Sequence, residues 1–484
     1  MEEFILNENI ENTNIKEPSL FIAVLPLLIM AASLIVGVGI YGVDPHIPIF
    51  VSAFFAAIIA LSLGHTWNAI QKEIFDTIYS GLLPLIIIIL IGAFIGVWIN
   101  AGIVPSIVFY GLEFLSPTWF LLTATILSML VGIVGGAWLA AGTVGLALIS
   151  IAEGLGVPLE ITAGAIVSGV YIGGKISPLS DTPNLVAGVI GIDVFEHIKN
   201  MLFTTIPAVI ITFILYIVIG FKFSESSLDS GQISSIQNAL SEHFTISPLL
   251  VLPFVFIVLI FIFKVPAIPG MSIGVMLGAI IAFFAQGANI GSVFTSMYHG
   301  MSIESDNLVV NSLLNQGGIV SMELVVTLFI IALAFGAIVK KGGMLDVILF
   351  PIAKRIKRTG SLVTLTGATC YVSNAVGCDK AMGVIVPGKM FIDEYKQRGL
   401  KPKFLSRNLE DCGTVMAVLI PWSTDGIFIY SVLGVHPLAY GPFAFFCYLC
   451  TFVAILFAYF NIKTNRYEDN ENIKNSQSPE HVIS

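Results

Sequence analysis

Residues 77–112 read TIYSGLLPLIIIILIGAFIGVWINAGIVPSIVFYGL, 36 consecutive positions without an Asp, Glu, Lys or Arg. A helix needs about 20 apolar residues to cross a bilayer, so this run holds a crossing and a turn. Its centre, Leu85 to Leu90 (LIIIIL), is apolar on every face. Transmembrane β-barrels alternate apolar and polar residues, which excludes them here. Further uncharged runs cover 18–43, 45–71, 114–152, 200–221, 243–263, 265–303, 324–339 and 426–462. Across all 484 residues, 56% are apolar and 11% charged, against about 25% charged in soluble domains. The fold class is therefore an all-α polytopic membrane protein, and soluble-enzyme readings drop out. Counting interrupted stretches as broken spans, we expect about 11–13 membrane segments.

Net charge is −9, from 22 Lys and Arg against 31 Asp and Glu. Much of the excess acid sits in tails and loops, which argues against a nucleic-acid partner. Cys370, Cys378, Cys412, Cys447 and Cys450 lie in or beside apolar segments, unlike a secreted disulfide framework. The Cys447-x-x-Cys450 pair lacks a second pair or a nearby His, so a metal is not expected there. Five Glu against Lys16 in the first 19 residues are the wrong charge for a signal-peptide n-region.

The expected layout is a polar tail at 1–19, a membrane half at 20–223, a polar linker at 224–245, a second half at 246–462 and a polar tail at 463–484. An offset of 243 places Pro178 on Pro421, Ser180 on Ser423, Gly145 on Gly388 and Gly191 on Gly434. Matching loops differ in charge: 153–160 (EGLGVPLE) has no Lys or Arg, whereas 396–403 (KQRGLKPK) carries four. Basic loops stay cytoplasmic, so the halves read as inverted-topology repeats, with the C-terminus cytoplasmic beyond Lys463 and Arg466. Broken helices and re-entrant hairpins belong to the same expectation.

Two interrupted segments carry the chemistry. In Gly173–Asn184 (GGKISPLSDTPN), Lys175 and Asp181 are the charged residues within 161–192. Pro178 and Pro183 remove backbone donors and disfavour helix before them, freeing carbonyls that a membrane tolerates only inside a protein-lined cavity. Such carbonyls, with hydroxyls, an amide and a carboxylate, are oxygen ligands suited to a hard cation. Asp181 is the central candidate, because a carboxylate at membrane depth must be protonated, paired or coordinated. Sodium and a proton would then compete for one group. The plainer alternatives are that Asp181 caps the half-helix following Pro183 or pairs with Lys175.

The second segment, Pro421–Gly426 (PWSTDG), mirrors the first and supplies Asp425, either on the same pathway or as a helix cap. Between basic loops 354–358 and 396–403 the chain must leave and return, with a turn near 373–380. Asn374, Asp379 and Lys380 there line a path or sit at an interface, and the counterpart is Val134-Gly135-Gly136 with Gly142-Thr143. Asp411, with Glu410 and Arg407, reads as ordinary acid at a helix N-terminus. His299 and His436 read as structural. No Walker-type phosphate loop is present, so no ATP-driven pump is suggested.

With those residues in view, the chain resembles the NhaC family of sodium/proton antiporters, within the wider ion-transporter superfamily, over about residues 20–462. The resemblance rests on GGKISPLSDTPNLVAGV at 173–189, SRNLEDCGTVMAVLIPWSTDGIFIYSVLGV at 406–435 and MYHGMSIESDNLVVNSLLNQGGIVSM at 297–322. It implies secondary active exchange of sodium, with lithium an open alternative, for protons in pH homeostasis, with no cofactor beyond the transported ions. Carried over by match, Ser177, Ser180, Asp181, Thr182 and Asn184 would form the ion site, with sodium at Asp181 and Thr414, Ser423 and Thr424 as partners. The same family includes exchangers of organic anions such as malate and lactate; for these, half-helix ends near Asn184 and Gly426 with Lys175 or Lys380 would receive carboxylates. Amino acids are the further alternative. A channel or membrane scaffold would leave the charged interruptions unexplained. The oligomeric state stays open, a homo-oligomer included.

Overall fold

A computed structural model of the chain describes residues 15–467 apart from 179, 224–229, 264, 308, 309, 312, 313 and 350–357. The expected terminal tails lie largely outside the described residues, as do 354–357 of the basic loop and the start of the linker. The rest of the linker is not an open strand of polar chain: Ser230–His243 is helix. Among the described residues the chain is helical, with an isolated bridge between Leu400 and Arg466. Among the described residues, six helices are long and apolar enough to cross a membrane, and ten spans result if each of four bent pairs counts as one. Three shorter apolar helices, His46–Ser62, Ile103–Phe114 and Pro117–Ile133, would bring the total to 11–13 as one, two or all of them cross.

Ten helices frame the site and are numbered here in chain order: α1 Pro117–Ala140, α2 Leu146–Leu155, α3 Leu159–Ile176, α4 Asp181–Ile190 and α5 Val194–Phe221. The others are α6 Thr359–Gly377, α7 Met382–Gln397, α8 Pro402–Leu409, α9 Thr424–Leu433 and α10 Phe445–Tyr459. α1 and α3 pack along most of their length. Glycines allow that approach: a Cβ on Gly132 would lie 2.9 Å from the Val170 carbonyl oxygen, and one on Gly173 would lie 2.7 Å from Gly132 Cα.

Prolines make both breaks in the same way. Pro178 leaves Ser177 extended (φ −88°, ψ 121°), ending α3, and Pro421 leaves Ile420 extended (φ −94°, ψ 116°). Each break closes on a serine N-cap, Ser180 (φ −74°, ψ 151°) or Ser423 (φ −73°, ψ 155°). Each opens a ten-residue half-helix that stops at a left-handed glycine, Gly191 or Gly434. The bend between 402–419 and α9 is 49°. The other interruptions correspond as well. α1 is broken at Gly136 (φ 79°, ψ 170°), and α6 ends at Cys378 (φ 56°), one position before the residue that the 243 offset matches to Gly136. The hairpin turn therefore spans residues 378–381, at the C-terminal edge of the stretch expected from sequence.

Lys403 Nζ lies 3.0 Å from Glu196 Oε1, so the first turn of α5 shares a face with basic loop 396–403.

Candidate functional site

The two breaks do not leave their carbonyls free. Asn184 Nδ2 donates to Pro178 O at 2.8 Å and Ser180 O at 2.7 Å, while Ser423 Oγ donates to Ala417 O at 2.7 Å and Ile420 O at 2.9 Å. Ala417 O is the carbonyl whose helical donor Pro421 lacks, and Ser423 supplies one in its place; at the first break, Ser177 N serves Gly174 O, which Pro178 would have faced, and Asn184 ties the break to the first turn of α4. Asn184 through Nδ2 and Ser423 through its hydroxyl both hold the breaks. Ser423 also accepts from Gly426 N at 3.0 Å as a helix cap.

Asp181 does not cap a helix after Pro183. It is itself the first residue of α4, with Pro183 inside the first turn, where its missing N–H removes nothing. Nor does it pair with Lys175. Lys380 Nζ, from the turn between α6 and α7, lies 2.8 Å from Asp181 Oδ2 and 3.4 Å from Asp425 Oδ1. The two acids differ sharply in surroundings: the Asp181 side chain is 66% exposed and that of Asp425 fully buried. An acid enclosed away from solvent, expected at residue 181, is found at residue 425. Asp425 Oδ1 also accepts from Trp138 Nε1 at 2.8 Å and Tyr171 OH at 2.7 Å, and Lys380 Nζ sits 4.9 Å from the Trp138 ring centroid. Trp138 in turn stacks on Phe428, with ring centroids 4.4 Å apart. One ammonium therefore rests between two carboxylates and an aromatic face.

A cavity of about 250 Å3, counting its open mouth, lies beside this group. Tyr171, Lys175, Ser180, Asp181, Thr182, Lys380, Glu410 and Thr414 contribute its polar lining. Ser180 Oγ donates to Asp181 Oδ1 at 3.2 Å, and Thr414 Oγ1 donates to Glu410 O at 3.0 Å. Ser177 is buried at the end of α3 outside that lining, and Asn374 donates to Gly413 O at 2.6 Å. Asp379 accepts from Ala381 N at 2.7 Å and from Thr424 Oγ1 at 3.1 Å, so both brace the turn that presents Lys380.

Lys175 belongs to a second group. It donates to Asp411 Oδ1 in a buried ion pair and to Cys450 Sγ at 3.0 Å, while Thr451 Oγ1 donates to Asp411 O at 2.6 Å. Glu410 and Asp411 do not begin a helix: they continue α8 as a π-helical turn, Glu410–Thr414, inside a span, and both are fully buried. Dipole complementarity therefore does not account for them, and π-turns inside helices often mark functional positions. The signal was present in sequence. Arg407, Glu410, Asp411 and Thr414 fall at i, i+3, i+4 and i+7, one polar helix face in an otherwise apolar setting. Tyr171, one turn before Lys175, was legible in the same way; Trp138 and His197 were not.

The match with known proteins follows the same residues. A model of the "Na+/H+ antiporter family" matches residues 169–462, which hold both breaks. The Na(+)/H(+) antiporter NhaC of Alkalihalophilus pseudofirmus is 36% identical over 92% of this chain and 97% of its own. The Malate-2H(+)/Na(+)-lactate antiporter of Bacillus subtilis is 35% identical, covering 92% and 96%. The arginine/ornithine antiporter ArcD of Halobacterium salinarum is also 35% identical, covering 92% of each. With its broken spans, buried acids and full-length relatives, the chain belongs to the NhaC-type Na+/H+ antiporter family.

Proposed function

We propose that this antiporter exchanges sodium for protons across the cytoplasmic membrane, with Asp181 as the carboxylate that the two ions share. The observation that carries this reading is Asp181 at a cavity mouth with a displaceable ammonium, Lys380, as its counter-ion. The Asp181 charge is balanced by Lys380 in the structure, and in the cycle sodium and a proton take that place in turn. Sodium entering beside Ser180 and Thr182 takes the carboxylate from Lys380. The released ammonium keeps a partner, since Asp425 lies 3.4 Å away and the Trp138 ring lies beside it. Sodium departure is reversed by Lys380 or by protonation, which couples the two cations at one group without a distant relay. In this reading the two halves run in opposite senses through the membrane, with the C-terminus and loop 396–403 on the cytoplasmic side.

The second reading, an organic-anion or amino-acid antiporter, draws on the two lysines in the cavity lining and on the names of two relatives. The charge arrangement favours cations, because each lysine is already matched to a carboxylate. Proteoliposomes with an imposed pH gradient decide between them. Sodium or lithium alone should collapse the gradient; if only malate, lactate or arginine does so, the sodium/proton reading fails.

A further inference from the structure

Glu410 is the buried acid that the scheme above leaves unused. Its side chain is fully buried, it contributes to the cavity lining, and neither carboxylate oxygen has a hydrogen-bond donor among the described residues. A buried carboxylate without donors loses its hydration and gains nothing in return unless it takes up a cation. His197 Nε2, on the second turn of α5, lies 3.7 Å from Glu410 Oε2 and is otherwise unpartnered among the described residues. The far nitrogen of the ring, Nδ1, lies 3.0 Å from Ser406 Oγ. Behind them is the face that carries the Glu196–Lys403 pair.

The other charged and titratable groups around Glu410 are accounted for. Lys175, from α3, is held by Asp411 and Cys450. Arg407, one turn earlier on α8, is fully buried, has no hydrogen-bond acceptor among the described residues, and stacks 4.9 Å from the Phe404 ring centroid. Tyr395, from α7, is engaged with Thr366 and Asn408. Counted across the cavity and its walls, Asp181, Asp379, Glu410, Asp411 and Asp425 face three bases, Lys175, Lys380 and Arg407. The arrangement is two positive charges short with His197 neutral. One sodium at Asp181 leaves one charge still to be supplied.

We propose that Glu410 is a second cation-carrying carboxylate of the exchange cycle, holding a proton that reaches it from the cytoplasmic face through Ser406 and His197. This rests on the antiport reading above only for its coupling to sodium. In the transfer, His197 Nε2 gives its proton to Glu410 Oε2 while Nδ1 takes one from the Ser406 hydroxyl, which turns away from the Lys403 carbonyl it donates to at 2.9 Å and is reprotonated by water from the cytoplasmic side. The Nε2–Oε2 gap must close by about 1 Å or less to reach hydrogen-bond distance.

Infrared difference spectra of the full-length protein in lipid nanodiscs, taken across acidification, read the Glu410 proton without reference to sodium. A protonated-carboxyl band should appear, shift in Glu410→Asp, vanish in Glu410→Gln and persist in Asp181→Asn. A band that neither shifts in Glu410→Asp nor vanishes in Glu410→Gln overturns the proposal, whatever sodium does. Sodium-induced proton release, counted in weak buffer, then reads coupling: Glu410→Gln should release one proton fewer per sodium bound, and His197→Gln the wild-type number about 100-fold more slowly. Equal release from wild type and Glu410→Gln overturns the coupling. If wild type releases none while the band titrates and shifts, the sodium reading fails and the Glu410 proton site stands.

Discussion

Lys380 Nζ is 2.8 Å from Asp181 Oδ2, joining the turn between α6 and α7 to the half-helix α4. The two residues are 199 positions apart in the chain, and neither break alone makes the contact. Because the turn is braced by Asp379 and Thr424, and α4 is held by Asn184 on its own break, the ammonium and the carboxylate are presented by separately stiffened elements.

Removing the Asp181 charge leaves Lys380 nothing to release to sodium. Asp181→Asn is expected to abolish sodium-driven proton movement in proteoliposomes while expression and thermal stability change little, because this side chain is largely exposed. Asp181→Glu keeps the charge and should keep partial exchange. Full exchange in the Asn variant would reject the assignment.

Lys380 and Asp425 should be energetically coupled, since the acid is enclosed and the ammonium is its charged neighbour. Lys380→Met leaves Asp425 with the Trp138 and Tyr171 donors alone. The single variants Lys380→Met and Asp425→Asn should each lower the thermal midpoint in detergent, and the double variant should lose less than their sum. A coupling of about 0.5–3 kcal/mol is expected for residues in direct contact. Strict additivity would show that the pair does not interact.

For Lys175 and Asp411 the same logic is sharper, because both ends are shut away from solvent. Lys175→Met strands the acid and should destabilise by about 3–5 kcal/mol, whereas Lys175→Met with Asp411→Leu should recover most of that. Thermal melts of the three proteins settle it; a double variant as unstable as the single would mean that packing, and not charge, is what Lys175 supplies.

How far the sequence carried these conclusions depends on which forces act locally. Pro178 and Pro421 broke their helices where the chain said they would, because the missing N–H and the restriction on the preceding residue are local effects. Ser180 and Ser423, and Gly191 and Gly434, took matching roles at the 243 offset for the same reason. Which side chains hold the breaks was not legible: Ser423 donates to the Ala417 carbonyl that Pro421 leaves without a helical donor, and Asn184 ties its break to α4, because hydroxyl and amide rotation is decided by packing. Partner choice among charges was equally hidden. Lys175 is six positions from Asp181 yet pairs with Asp411, because α3 and α4 part at the break and the π-turn brings Asp411 in from the other half.

His436 offers a test of pH dependence away from the spans. It caps the short helix after it, with Nδ1 accepting from Leu438 N at 3.3 Å, and burial holds its pKa below the usual histidine value. A lowered folded value means that the neutral ring stabilises the fold above the unfolded pKa of about 6.5, and that this contribution is lost as pH falls through the folded value. His436→Gln should therefore flatten the acid side of a stability-versus-pH curve, leaving the pH profile of exchange unmoved. A displaced transport profile would assign His436 a role in pH sensing instead.

The close approach of α1 and α3 should tolerate no added atom at Gly173. A Cβ there meets the Met129 carbonyl oxygen and lies 2.7 Å from Gly132 Cα, both backbone atoms that cannot rotate aside. Gly173→Ala is expected to cost about 1–3 kcal/mol through overpacking, and to disturb Lys175 two residues on. Gly188→Ala is the matched control: it sits in α4 with nothing within 4 Å of the new methyl, and alanine is the better helix former. Melting temperatures should therefore move in opposite directions for the two variants. Equal tolerance at both positions would mean that the helices can separate at Gly173 without loss, and that the contact does not position Lys175.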